Sequence, residues 1–173
     1  SGSGGQAGGL AYVLGWTGGF CLVALLVLKL VFMSCGRLWN AGMRSPSGHT
    51  GISVTVYGTL GIVAGIRTSG WLRWALVGGL LVLVLGIAAS RIVLGAHNLE
   101  EVLTGLGIGA VALGNFALCY RPLPDWQISR ARLVGAVAAA SVALGLMHGE
   151  RWPGEQWLWQ FVNTHGLRAY CTP

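Results

Sequence analysis

Uncharged stretches of helical length recur along this chain, at 10–28 within a longer apolar run to 34, then at 50–66, 74–90, 102–120 and 133–149. Each is long enough to cross a bilayer as a helix, which takes roughly 17 to 25 residues, and too long for a buried strand. The hydrocarbon interior holds no water to satisfy backbone N–H and C=O groups, so a crossing segment satisfies them internally, as a helix does. A membrane β-barrel would alternate polar and apolar residues over about ten positions per strand, a pattern absent here. Composition agrees: 54% of residues are hydrophobic and 9% charged, where soluble domains carry about a quarter charged residues. The expectation is an all-α, polytopic membrane helix bundle with about five transmembrane helices in one domain, 10–149.

The flanks read differently. Residues 1–9 are small, polar and glycine-rich, and are expected to be an appended linker. The end, 150–173, mixes Trp152, Trp157, Trp159, Phe161 and Tyr170 with polar residues and is too broken to span, which predicts an aromatic tail on the membrane interface. Trp16, Trp71, Trp74 and Trp126 fall near proposed helix ends, where interfacial aromatic belts lie. Two glycine pairs, Gly61 with Gly65 and Gly105 with Gly109, have the spacing that lets membrane helices approach closely. The net charge of +6 points to membrane lipids as partners and not to nucleic acid, since basic and aromatic residues do not interleave. Oligomeric state is left open.

Threading five crossings puts the loops 35–49 and 91–101 and the tail on one side, and the loops 67–73 and 121–132 on the other. Arg37, Arg44, Pro46 to His49, Arg91, His97 and Glu101 all gather on the first side. Arg67, Arg73, Arg121, Arg130 and Arg132 belong to no motif and mark the second side as cytoplasmic by the positive-inside rule. The polar cluster would then face outward, as it would toward the periplasm from a bacterial inner membrane.

Those polar residues suggest chemistry on a phosphate. Pro46 is expected to start the second helix, with Ser47, Gly48 and His49 in its first turn. A helix N-terminus offers unpaired N–H groups and a positive dipole end, and so binds anions. Glycine lets an oxyanion approach and the serine adds a donor; the alternative is an ordinary helix cap. Arg91 is expected to end the third helix and His97 to begin the fourth, with Glu101 one turn later. Residues four apart share a helix face, so Glu101 can hold one ring nitrogen of His97 and leave the other as a nucleophile, the orienting logic of a catalytic triad. A structural His–Glu pair is the alternative. Lys29 is the sole lysine and lies in an apolar helix, where a charge costs roughly 2.5 to 3.5 kcal/mol at the helix centre. It is either a phosphate ligand or a snorkelling side chain.

The residues Pro46-Ser47-Gly48-His49 and Ser90-Arg91 with His97 and an acid at 101 resemble the second and third motifs of the type 2 phosphatidic acid phosphatase superfamily. The resemblance covers Lys29 to Glu101. The family's first motif reads lysine, six residues, arginine, proline; here seven residues separate Lys29 from Arg37, and Leu38 takes the place of the proline. Lys29 and Arg37 would stand about 80° apart on a continuous helix, so Arg37 would reach in from a loop, or Arg44 would replace it. Glu101 stands where the family usually has aspartate.

The resemblance implies a membrane phosphatase that hydrolyses a lipid phosphate or diphosphate through a phosphohistidine. His97 would attack phosphorus, His49 would protonate the leaving oxygen and then activate water, and Glu101 would orient His97. Lys29, Arg91, Arg37 or Arg44, Ser47 and the Gly48 N–H would bind the phosphate. Neither metal nor cofactor is implied, and vanadate is expected to inhibit. The substrate stays open among isoprenyl diphosphate, phosphatidate, phosphatidylglycerophosphate and lipid A. The alternatives are a lipid phosphotransferase using the same intermediate and a non-catalytic protein that binds anionic lipid. Cys35 and Cys171 fall on the same side as the site and are free to be either bridged or reduced.

Overall fold

The computed structural model describes residues 3–39, 43–120 and 153–167, with single helical positions at 135, 138 and 142. Five helices are continuous in these segments: α1 (Ser3–Trp39), α2 (Gly48–Arg67), α3 (Gly70–Val93), α4 (Leu99–Cys119) and α5 (Pro153–Thr164). Four of them are long and apolar enough to cross a membrane. The expected fifth span, 133–149, otherwise lies outside the described residues. The fold is an all-α polytopic bundle.

Helix boundaries follow local sequence. Glycines 61, 65 and their neighbours do not break α2, which ends at Arg67, where Thr68 turns extended and sends its N–H and hydroxyl to the Ala64 carbonyl. Gly70, at φ +61°, then opens α3. The backbone of 3–9, expected to be a linker, is helical and continues α1. At its other end α1 runs past the expected stop near 34 to Trp39, since Ser34–Leu38 contains no proline to halt it.

The centre of the bundle is α2, packed against α1, α3 and α4. The second and fourth helices are closest where side chains are smallest. A Cβ on Gly109 would lie 2.6 Å from both the Gly51 carbonyl oxygen and Val54 Cβ, and one on Gly105 would overlap the Ser47 carbonyl oxygen. Of the two expected glycine pairs, then, 105 and 109 mediate backbone approach. The pair 61 and 65 makes ordinary contacts with Leu80 and Val77 of α3, at 3.7 and 3.6 Å.

Three apolar clusters fill the seams: Val63, Phe116 and Tyr120 at one end, Cys21, Leu25, Ile108 and Ala112 between α1 and α4, and Tyr57, Leu80 and Val84 between α2 and α3. Dispersion contacts in these seams, rather than release of water, hold membrane helices together. Outward residues such as Leu22, Val23, Leu81, Val82 and Val111 are exposed and apolar, as a lipid-facing surface requires. Trp71 and Trp74 are exposed at the start of α3, with Arg73 lying over the Trp74 ring. The tail contains α5, which at about 18 Å is too short to span; it packs on α1 and buries Val162 completely.

Candidate active site

The connections before α2 and before α4 meet at one end of the bundle, and Glu101 joins them. Its carboxylate is 4% exposed and accepts four hydrogen bonds. Oε1 takes the N–H groups of Arg44 at 2.7 Å and Ser45 at 3.1 Å. Oε2 lies 2.8 Å from His97 Nδ1 and takes the Asn98 N–H at 3.2 Å. The Glu101 carbonyl accepts the Ser47 N–H at 2.9 Å. Pro46 has no N–H, so one residue receives every backbone donor from 44 to 47. This fixes the segment ahead of α2 against the start of α4.

The His97–Glu101 pair forms for a different reason from the one expected. His97 does not lie on α4; it precedes Asn98, the N-cap. Asn98 Oδ1 accepts the Glu101 N–H at 2.9 Å while Glu101 accepts the Asn98 N–H, a capping box. The box brings the Glu101 carboxylate back over the N-terminus, where His97 meets it.

A second device sets the reach from Arg91 to His97. Helix α3 closes with a Schellman motif: Ala96 N–H bonds the Arg91 carbonyl and Gly95 N–H bonds the Ile92 carbonyl. Gly95 sits at φ +64°, which favours glycine. The His97 N–H also reaches the Arg91 carbonyl, at 3.1 Å. Arg91 itself is 4% exposed in the last turn of α3, and its Nε is 3.5 Å from Ser90 Oγ. The six-residue spacing is therefore the length of one helix cap plus one entry residue.

Ahead of α2, Pro46 and Ser47 precede the helix, which begins at Gly48 rather than at Pro46 as expected. Ser47 is fully buried; it caps α2, receiving the Thr50 N–H and lying 2.9 Å from Thr50 Oγ1. The capping alternative is thus realised at Ser47. His49 is half-buried in the first turn.

Lys29 lies beside this turn. Its Nζ donates to Ser45 Oγ at 3.3 Å, and a Cβ on Gly48 would stand 3.7 Å from its Cε. The lysine thus meets the α2 N-terminus from α1. Arg44 has an exposed side chain next to the Glu101 clamp. Arg37 stands on α1 and not in a loop; its side chain, like residues 40–42, lies outside the described set. Sequence reasoning missed Ser45, 2% exposed and in contact with both Lys29 and Glu101.

A basic side chain beside a helix N-terminus, a buried arginine and a carboxylate-held histidine are the residue types that phosphate chemistry calls for. The PAP2 superfamily model matches residues 31–125, more than half of the chain. The chain belongs to the PAP2 superfamily, a membership that supports a phosphatase, and four of its helices are long and apolar enough to cross a membrane. Lys29 falls just ahead of the matched segment. A relative from Klebsiella pneumoniae, "Uncharacterized 22.5 kDa protein in cps region", is 30% identical over 144 residues, covering 80% of this chain and 67% of that protein. No solved structure matches.

Proposed function

We propose that this protein hydrolyses the terminal phosphate of a lipid phosphate or diphosphate through a phosphohistidine at His97. The observation that carries this reading is the 2.8 Å contact between His97 Nδ1 and Glu101 Oε2. With Glu101 ionised and acting as acceptor, Nδ1–H donates to the carboxylate, which leaves the Nε2 lone pair to attack.

The Nε2–P bond forms as the P–O bond to the lipid breaks, and His49 gives its proton to the departing oxygen. His49 then accepts a proton from water, whose oxygen attacks phosphorus. The N–P bond breaks and inorganic phosphate leaves. Lys29, Arg91, the α2 N-terminus at Gly48 and one of Arg37 and Arg44 neutralise the equatorial oxygens of the transition state.

A site at helix ends suits a phosphate at headgroup depth whose hydrocarbon stays in the bilayer. Arginine distribution in the loops supports a reading in which that end faces the periplasm from a bacterial inner membrane. The test is phosphate release in detergent from a panel of isoprenyl diphosphate, phosphatidate, phosphatidylglycerophosphate and lipid A, with orthovanadate as a five-coordinate mimic of the transition state. Vanadate-sensitive release from at least one supports the reading. Transfer of the phosphate to a second lipid without release would make the protein a phosphotransferase, and binding without either reaction would make it a lipid binder.

A further inference from the structure

Three segments far apart in sequence are joined at the site through one small residue. Lys29 Nζ donates to Ser45 Oγ at 3.3 Å, Ser45 N–H donates to Glu101 Oε1 at 3.1 Å, and Glu101 Oε2 meets His97 Nδ1 at 2.8 Å. Ser45 is 2% exposed, so its hydroxyl faces the protein interior. A lysine chain is a flexible four-carbon stem, so a fixed hydrogen-bond partner narrows where its ammonium stands. The ammonium, moreover, extends from an apolar helix, where a charge is costly without a polar partner.

We propose that Ser45 is a positioning residue for phosphate binding: its hydroxyl holds the Lys29 ammonium beside Gly48, in register with the carboxylate that orients His97. This rests on the reading of Lys29 as a phosphate ligand. Ser45 does not touch phosphate. It fixes where the lysine charge stands, and the Glu101 clamp on its backbone fixes where Ser45 stands. Losing the hydroxyl removes one of the contacts that fix the ammonium and shifts where it stands. Phosphate affinity then falls while the His97–Glu101 pair, built from backbone and capping contacts, persists.

Lys29 is the chain's sole lysine, so protein grown on lysine labelled with 13C at the ε-carbon gives one side-chain resonance for the test. The probe is inorganic phosphate added to the detergent-solubilised full chain, with turnover of the lipid panel measured in parallel. The parent resonance is expected to shift on titration. In Ser45→Ala the starting resonance moves, the phosphate midpoint rises about tenfold, as for loss of one hydrogen bond to a charged group, and turnover loses more in KM than in kcat. Ser45→Thr, which keeps the hydroxyl, moves both back toward the parent. Should Ser45→Ala not fold, Ser45→Cys replaces it, keeping the size of the side chain with a weaker acceptor. An unchanged resonance and midpoint in the variant overturns the proposal. A parent that turns over lipid phosphate with no response at Lys29 also overturns it, and leaves the phosphatase reading standing. A parent whose Lys29 responds as described without any lipid turnover removes the lipid-phosphatase reading and leaves the positioning role intact.

Discussion

The Glu101 carboxylate and the His97 ring meet at 2.8 Å across the first turn of a helix to which only Glu101 belongs. One carboxylate thereby performs three tasks: it closes the capping box of α4, orients the candidate nucleophile, and gathers the N–H groups of Arg44 and Ser45. In the proposed mechanism, stability and catalysis are coupled at this position.

Glu101→Gln should show that coupling. The amide has one carbonyl oxygen, so its NH2 must face either the loop donors or His97 and Asn98. A buried donor set against donors costs about 1 to 3 kcal/mol. We expect a lower unfolding midpoint and a kcat reduced at least tenfold, with Glu101→Ala worse in both. Thermal unfolding and turnover measured on the same preparations check this; a variant changed in activity alone would show that the clamp contributes nothing to folding.

Gly95→Ala tests the Schellman turn that spaces Arg91 from His97. An added Cβ at φ +64° should destabilise by about 1 to 2 kcal/mol. Gly95→Asn, which tolerates the left-handed region better, should cost less. Equal melting for glycine and alanine would contradict the assigned conformation.

Gly105→Ala places a methyl on the Ser47 carbonyl oxygen across the α2–α4 seam. Relieving that overlap should cost about 1 to 3 kcal/mol and displace the segment carrying Ser45. Activity should fall with stability. The same substitution at Gly107, where no atom lies within 4 Å, should leave both unchanged; equal effects at the two positions would refute the close approach.

Cys35 is disulfide-bonded, whereas Cys21 and Cys119 carry free thiols. The remaining cysteine of the chain is Cys171, which lies outside the described residues. Alkylation under denaturing conditions before reduction should modify two cysteines, and after reduction four. Four modified without reductant would show that no bridge forms in the isolated protein.

The crossing helices were legible because lipid imposes a hydrophobic run of fixed minimum length, a signal that survives without any partner. The family was legible in the motifs too, yet the contact between His97 and Glu101 was expected on a shared helix face and arises instead from a cap. Cap geometry depends on where the helix begins, and the difference between Asn98 and His97 as the first turn is one residue. The extension of α1 to Trp39 was hidden because polar Ser34 to Arg37 resemble a loop, while the backbone needs a breaker to stop. Ser45 carried no signal: its partner Lys29 is sixteen residues away, and only the packing of α1 on α2 brings them together.

The direct test of the central claim is to capture the covalent intermediate. Protein incubated briefly with lipid substrate labelled in its terminal phosphate, then quenched in alkali, should carry an acid-labile label on the peptide containing His97. The label should vanish in His97→Ala; in His49→Ala, which loses both the proton donor to the leaving oxygen and the base for water, it should form more slowly and decay more slowly. Phosphate release by His97→Ala at the parent rate, or label found on another residue, would contradict the account.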